Sequence, residues 1–178
     1  GAILVASEAK NLGGLTDRID PFPPGFYWKD GAVTRYADVT CVSVYSADSY
    51  DAIYRNIREK LTAAVERRLD ADAPVGLLLS GGLDSSLVCA IAAKKLARPI
   101  RTFAIGMCKD PIDLKYAREV ARYLGAEHTE AYMTPEDVVS VLPTVVRMLG
   151  TYDITTIRAS IGMYLVCRYI HENTNIRV

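Results

Sequence analysis

Apolar residues recur along this chain with two different spacings. Between residues 49 and 69 they recur at every fourth position: Ile53, Ile57, Leu61, Val65 and Leu69. This spacing places them on one side of an α-helix, and Ser49 before them is a residue type that caps helix starts. After residue 74 the pattern changes to short apolar runs of strand length, which alternate with helical segments.

The alternating part of the chain predicts a parallel sheet. Strands are expected at 75–79, 100–105 and 130–133, and helices at 85–96, 113–124, 135–149 and 156–171. Asp113 is expected to cap one helix, Gly125 to end it, and Thr134 to Asp137 to form a capped start for the next. A further strand is expected to begin at Ile176. Strand–helix alternation of this kind is typical of a doubly wound α/β fold, which binds ligands at the carboxyl ends of its strands.

The first 48 residues give weaker signals. Short strands are expected at 2–6 and 33–36, on either side of the proline-rich turn at 20–25. Because this region holds too little apolar material for a core of its own, we interpret 1–40 as the β-rich end of a preceding domain, with a linker at 41–48 and the α/β domain at 49–178. A small edge subdomain is the alternative. The chain begins and stops inside apparent strands, which predicts a piece of a longer protein.

Composition excludes several classes of function. The 178 residues carry 21 positive and 21 negative side chains, so net charge does not indicate a nucleic-acid partner. No apolar run is long enough to span a membrane, and the first ten residues do not resemble a signal peptide. The isolated His128 and His171 argue against a zinc site. The four cysteines are scattered, as expected for structural thiols in a reduced, cytoplasmic protein: Cys41, Cys89, Cys108 and Cys167.

The most informative segment runs from Ser80 to Ser86. A strand-length apolar run ends in Ser80-Gly81-Gly82, and a helical pattern follows at once. The glycines allow backbone N–H groups to approach a ligand, and the helix start favours an anion. Asp84 beside an anion site indicates a divalent cation between the two. The spacing matches neither a Walker A loop nor a dinucleotide-binding fingerprint. The simplest alternative is a glycine-rich turn with an incidental acid.

The pattern Ser-Gly-Gly-x-Asp-Ser resembles the signature of the pyrophosphatase-loop enzymes, whose domains are of the adenine nucleotide alpha hydrolase-like type. Those enzymes cleave ATP between its α- and β-phosphates and adenylate a substrate oxygen. Two further segments resemble the glutamine-dependent asparagine synthetases. Residues 5–10 with 23–27 are similar to the closing strands of their N-terminal-nucleophile glutaminase domain (class II amidotransferase), and 151–160 to a motif of their synthetase domain.

The resemblance implies ATP-dependent amidation of aspartate to asparagine, by way of a β-aspartyl-AMP intermediate and with release of pyrophosphate and AMP. Ammonia would come from glutamine in the intact protein. That family's glutaminase nucleophile is an amino-terminal cysteine, whereas residue 1 here is Gly, so glutamine hydrolysis cannot be assigned to this chain. A second acidic loop of the family's ATP site is expected just after Val178.

The resemblance also implies site residues. The ATP contacts fall on Leu79, Ser80, Gly81, Gly82, Asp84, Ser85, Ser86 and Ile105. Asp84 would ligate Mg²⁺ and act in catalysis, while Leu79 and Ile105 would frame the adenine. The expected aspartate and adenylate contacts are Thr155, Thr156 and Arg158, the last of them catalytic. Alternatives stay open, since Leu79 and Ile105 would be core residues in any α/β sheet, the threonines could cap a helix, and Arg158 could be a solvated arginine.

The expected partners are therefore small molecules: ATP, Mg²⁺, aspartate, and glutamine or ammonia. Neither nucleic acid nor membrane is expected, and a homodimer is a further expectation. Two rival functions share the same loop. One is a synthetase with another acyl acceptor, such as a β-lactam-forming enzyme, and the other is a nucleotide-binding module without turnover.

Overall fold

A computed structural model describes residues 3–38, 40, 48–107 and 111–178 of the chain, apart from the side chain of Asp113. The predicted linker, except for Asp48, and the cysteines Cys41 and Cys108 lie outside the described residues. The chain divides into two compact units, Gly1–Ile53 and Tyr54–Val178.

The first unit contains a 3₁₀ turn at Ala9–Leu12 and an antiparallel hairpin of β1 (Phe26–Lys29) and β2 (Ala32–Arg35). The prediction of a strand at 33–36 is confirmed to within one residue. The strand expected at 2–6 is not formed over the described residues 3–6. Strand β1 was missed, although Asp30-Gly31 signals its turn. Both residues have positive φ, 49° and 82°, as a two-residue hairpin turn requires.

Five helices and three strands follow in the described part of the chain beyond residue 48. The helices are α1 (Tyr50–Leu69), α2 (Leu83–Lys95), α3 (Ile112–Leu124), α4 (Pro135–Leu149) and α5 (Ile154–Asn173). The strands are β3 (Leu77–Leu78), β4 (Arg101–Met107) and β5 (Glu127–Met133). Every helix and strand predicted between residues 49 and 171 is found, with ends shifted by a few residues, whereas the strand expected to begin at Ile176 is not assigned. Helix α3 begins one residue before Asp113, with Pro111 in the capping position.

The three strands form a parallel sheet in the order β3-β4-β5. Residues 176–178 begin to extend it beyond β3. The N–H of Val178 donates to the Pro74 carbonyl at 3.3 Å, and the N–H of Gly76 donates to the Val178 carbonyl at 2.8 Å. These two bonds flank Val75, which is the pattern of parallel pairing. The parallel α/β sheet predicted from the alternation is confirmed.

Helices cover both faces of this sheet. On one face α2 and α3 pack over Leu79 and Ala104, with the buried Cys89 and Ala117 between them. Burial raises the pKa of the Cys89 thiol to about 11, so this thiol is an inert packing group. Leu61, Val65 and Leu69 of α1 join the same cluster, whereas Ile57 of the predicted stripe is 57% exposed.

The opposite face is covered by α4 and α5. Val141, Val145, Ile161 and Leu165 form its core, and Phe103 of β4 packs against Val166 and Ile176. Neighbouring residues of β4 thus belong to opposite faces, as strand geometry requires. No helix in the described parts of the chain has the length and apolar character to cross a membrane.

Candidate functional site

The loop after β3 is held together by its own serines. The hydroxyl oxygens of Ser80 and Ser85 lie 2.9 Å apart, and the Ser80 N–H donates to Ser85 Oγ at 3.3 Å. Ser85 Oγ also donates to the Gly82 carbonyl at 3.3 Å. These bonds fold the loop back onto the first turn of α2 and give it a defined shape.

Gly81 is required at its position for two reasons. Its φ of +80° is in the left-handed region, which side-chain-bearing residues rarely adopt. A Cβ at this position would lie 2.5 Å from the backbone nitrogen of Ala117 and 2.6 Å from the carbonyl carbon of Tyr116. The loop therefore touches the main chain of α3 directly, and no larger residue fits without moving one of the two.

The start of α2 is open. Gly82 occupies the capping position and has no side chain to accept a hydrogen bond from the helix. The first N–H groups of a helix have no acceptor within the helix itself, so those of α2 point into the loop region. Ser86 Oγ is buried and has no hydrogen-bond partner among the described residues. This arrangement offers donors to an anion at the carboxyl end of β3.

Asp84 lies in the first turn of α2 with an exposed side chain. No group of three or more His, Cys, Asp or Glu side chains suited to a metal ion occurs within the described ranges. A protein cage for a cation is therefore not formed by these residues. A single carboxylate does fit Mg²⁺, since this ion is commonly held by one or two carboxylates together with substrate phosphates and water.

A cavity of about 160 Å³ adjoins the loop. Three of the predicted ATP contacts, Leu79, Ser80 and Ile105, line it together. Leu79 is fully buried, and its N–H donates to the Phe103 carbonyl at 2.8 Å, so the position of this strand end is fixed by the sheet. Ile105 also borders a second cavity of about 120 Å³, beside Asp137 and Arg168.

The wall opposite the strands was not predicted. It consists of the adjacent Gly162 and Met163 and of Val166, which lies about one turn further along α5. Phe103, Ala104 and Leu114 complete the lining. The only sequence signal for this wall is Gly162, which lies four positions after Arg158 in a segment predicted to be helical. Because glycine has no side chain, it leaves space beside the sheet.

Thr155, Thr156 and Arg158 lie in the first turns of α5 with exposed side chains. A rise of about 1.5 Å per residue puts Arg158 roughly 7–8 Å along the helix axis from Met163 in the cavity wall. The residues thus belong to the helix that borders the cavity. Among the described residues, however, no hydrogen bond or ion pair connects their side chains to the loop.

Neither Thr155 nor Thr156 occupies the capping position of α5. Asp153 occupies the capping position, and its carboxylate accepts a hydrogen bond from the Thr156 N–H at 2.7 Å. These hydrogen bonds to Thr156 hold the pKa of the Asp153 carboxyl below its ordinary value. Both the side chain and the N–H of Thr156 hydrogen-bond to Asp153, so Thr156 takes part in the start of α5 although Asp153 is the capping residue.

Comparison with known proteins identifies relatives over most of the chain. Residues 56–178 match the family model described as asparagine synthase. The chain is 39% identical over 209 residues to the asparagine synthetase [glutamine-hydrolyzing] of Cricetulus griseus, and 39% identical over 206 residues to that of Homo sapiens. Each alignment covers 98% of this chain but 36% of the relative, so the chain spans about a third of their length.

Solved structures give weaker likenesses. The NH3-dependent NAD synthetase from Campylobacter jejuni superposes with a TM-score of 0.43 at 22% identity, over 68% of this chain and 54% of that one. The glutamine-dependent NAD+ synthetase from Acinetobacter baumannii, solved with adenosine diphosphate, gives a TM-score of 0.46 at 25% identity, over 76% of this chain and 26% of that one.

Proposed function

The chain belongs to the asparagine synthase family, and from this premise we propose that it forms the ATP-binding part of an enzyme that converts aspartate to asparagine. The observation that carries the proposal is the family match over 56–178, because this range contains both the open loop at Ser80–Ser86 and the cavity beside it.

The proposed reaction solves a problem of leaving groups. A carboxylate does not react with an amine because an oxide would have to depart. A β-carboxylate oxygen of aspartate would attack the α-phosphorus of ATP, and the bond to the β-phosphate would break to release pyrophosphate. Ammonia would then attack the activated acyl carbon, lose a proton, and displace AMP together with one former carboxylate oxygen.

The local geometry and the family resemblance together support the proposed contacts. The N–H groups at the start of α2 and the hydroxyls of Ser80 and Ser85 would bind the departing pyrophosphate, whose charge grows as the bond breaks. Mg²⁺ held at Asp84 would neutralise phosphate charge. The buried Leu79 and the partly buried Ile105 would contact the adenine. Thr155, Thr156 and Arg158 would bind the aspartyl adenylate, since a guanidinium matches two oxygens at once.

An isotope experiment tests the proposal. The full-length protein is supplied with ATP, Mg²⁺, ammonia and aspartate labelled with oxygen-18 in its β-carboxylate, and the products are analysed by mass spectrometry. We expect pyrophosphate release that depends on aspartate, with one labelled oxygen transferred to AMP. Label in inorganic phosphate together with ADP would contradict cleavage at the α-phosphate.

The two rivals give different results in the same experiment. A synthetase for another acyl acceptor would also adenylate a different carboxylic acid. It would therefore release pyrophosphate with that acid and none with aspartate. A binding module would take up ATP and release no pyrophosphate with any acceptor. Use of glutamine in place of ammonia, tested in parallel, examines the proposed ammonia source of the intact protein.

A further inference from the structure

The position of the ATP loop depends on helix α3. Gly81 lies directly against the main chain of Tyr116 and Ala117 and the Cβ of Tyr116. A shift of α3 toward the loop would create an overlap, and a shift away would leave the loop unsupported. The placement of the loop N–H groups is therefore tied to the placement of α3 against the sheet.

Apolar packing and an ion pair hold α3. Leu114, Ala117 and Ala121 are buried against the sheet and α2. Arg118, the residue directly after the Gly81 contact, forms a two-pronged ion pair with Glu130 of β5, with Nε to Oε1 at 2.8 Å and Nη2 to Oε2 at 2.9 Å. Flat apolar packing allows a helix to slide, whereas a two-pronged pair fixes its position along the strand.

Glu130 is a firm anchor for this pair. It is only 15% exposed and lies opposite Ala104 in the β4–β5 register. The Tyr132 hydroxyl also donates to Glu130 Oε2 at 2.8 Å. The Arg118 hydrogen bonds, against the opposing effect of burial, hold the pKa of the Glu130 carboxyl below its ordinary value, so the carboxylate stays charged near neutral pH.

One further side chain lies beside the pair. His128, two residues before Glu130, has Nε2 3.9 Å from Glu130 Oε1 and Nδ1 2.9 Å from Thr102 Oγ1. Burial lowers the pKa of His128, which keeps it neutral and leaves Arg118 as the cation bonded to Glu130.

We propose that Arg118 and Glu130 are positioning residues for ATP binding: their ion pair fixes α3 against β5, and α3 fixes the loop at Gly81. Neither residue borders the cavity beside the loop. The inference rests on the proposed function only in taking ATP as the ligand of the loop.

The test compares two arginines of the same helix. Arg122 lies one turn after Arg118, is exposed, and forms no ion pair with the described residues. In the full-length protein we expect Arg118→Ala to raise the Kd for ATP and the KM for ATP about tenfold, with the KM for aspartate unchanged. Arg122→Ala should leave all three values at the wild-type level. All measurements are made well below the Tm of each variant.

Arg118→Lys keeps the test valid if Arg118→Ala does not fold. Lysine retains the charge but cannot form both bonds, so an intermediate rise in the Kd for ATP is expected. A lowered Tm with an ATP Kd equal to that of Arg122→Ala would show a structural role only and would overturn the proposal. A wild-type protein that does not bind ATP would also overturn the proposal.

The proposed function fails separately. ATP binding without aspartate-dependent pyrophosphate release would refute that function, while the ratio of the Kd values for ATP in the two variants would still test the positioning role.

Discussion

The helices α2 and α4 begin in opposite ways. At α4, Thr134 Oγ1 accepts from the Asp137 N–H at 3.1 Å, and the Asp137 carboxylate accepts from the Thr134 N–H at 2.8 Å. At α2, Gly82 offers no side chain, and the loop serines bond to each other and to the Gly82 backbone. One start is closed by the chain itself and the other is left open. The difference indicates that phosphate can bind at the start of α2, because the N–H groups there have fewer acceptors within the protein than those at the start of α4.

The largest expected effect comes from Gly81→Ala. The added methyl group would overlap the α3 backbone, so we expect ATP affinity to fall by about a hundredfold or more. Gly125→Ala is the matched control, since Gly125 also has a positive φ, of +62°, but has open space around it. It should cost about 1–2 kcal/mol of stability and leave ATP affinity intact. Equal loss of affinity in both variants, measured by calorimetry, would refute the role of the close contact.

Asp84→Asn should give the next largest effect. Loss of the metal-binding carboxylate is expected to lower the rate of aspartate-dependent pyrophosphate release by roughly 10²–10³-fold. Asp72→Asn, at an exposed acid in the segment before β3, is the control and should release pyrophosphate at the wild-type rate. An Asp84→Asn variant with unchanged activity would remove Asp84 from the proposed metal site.

Thr134→Ala examines the closed start. Removal of the cap should destabilise the protein by about 1 kcal/mol, seen as a Tm lower by about 3 °C, with the Kd for ATP unchanged. A marked rise in the Kd for ATP would mean that the closed start of α4 takes part in ATP binding. The contrast between the two helix starts would then fail.

The smallest expected effect is a change with pH in the stability that the Asp137 cap contributes. Hydrogen bonds from Thr134 hold the pKa of Asp137 below its ordinary value of 3.8. A depressed carboxyl pKa stabilises the folded state at pH values above 3.8, and this stabilisation is lost as the pH falls through the folded-state pKa. The Tm difference between wild type and Asp137→Asn should therefore shrink on acidification. A Tm difference for Asp137→Asn that does not depend on pH would contradict the role of the charged cap.

Local rules made much of the fold predictable. The closed start of α4 follows from four consecutive residues, and the end of α3 at Leu124 follows from Gly125. The parallel sheet follows from the alternation of strand and helix signals. The pairing of β1 with β2 is equally local, because Asp30-Gly31 between the two strands is a hairpin turn signal.

Contacts between distant segments could not be predicted. The approach of Gly81 to Ala117 and the wall formed by Gly162 and Met163 depend on how α3 and α5 pack on the sheet. Motif resemblance therefore indicated the loop and one side of the cavity, while the opposite wall and the support beneath the loop required the folded structure.

Hydrogen exchange of the full-length protein, with and without ATP and Mg²⁺, tests the central claim most directly. Mass spectrometry of peptides covering residues 79–86 and 134–138 reports on the two helix starts separately. The account predicts that ATP slows exchange in the peptide from the open start of α2 and leaves the peptide from α4 unchanged. Protection at α4 with none at α2 would contradict it.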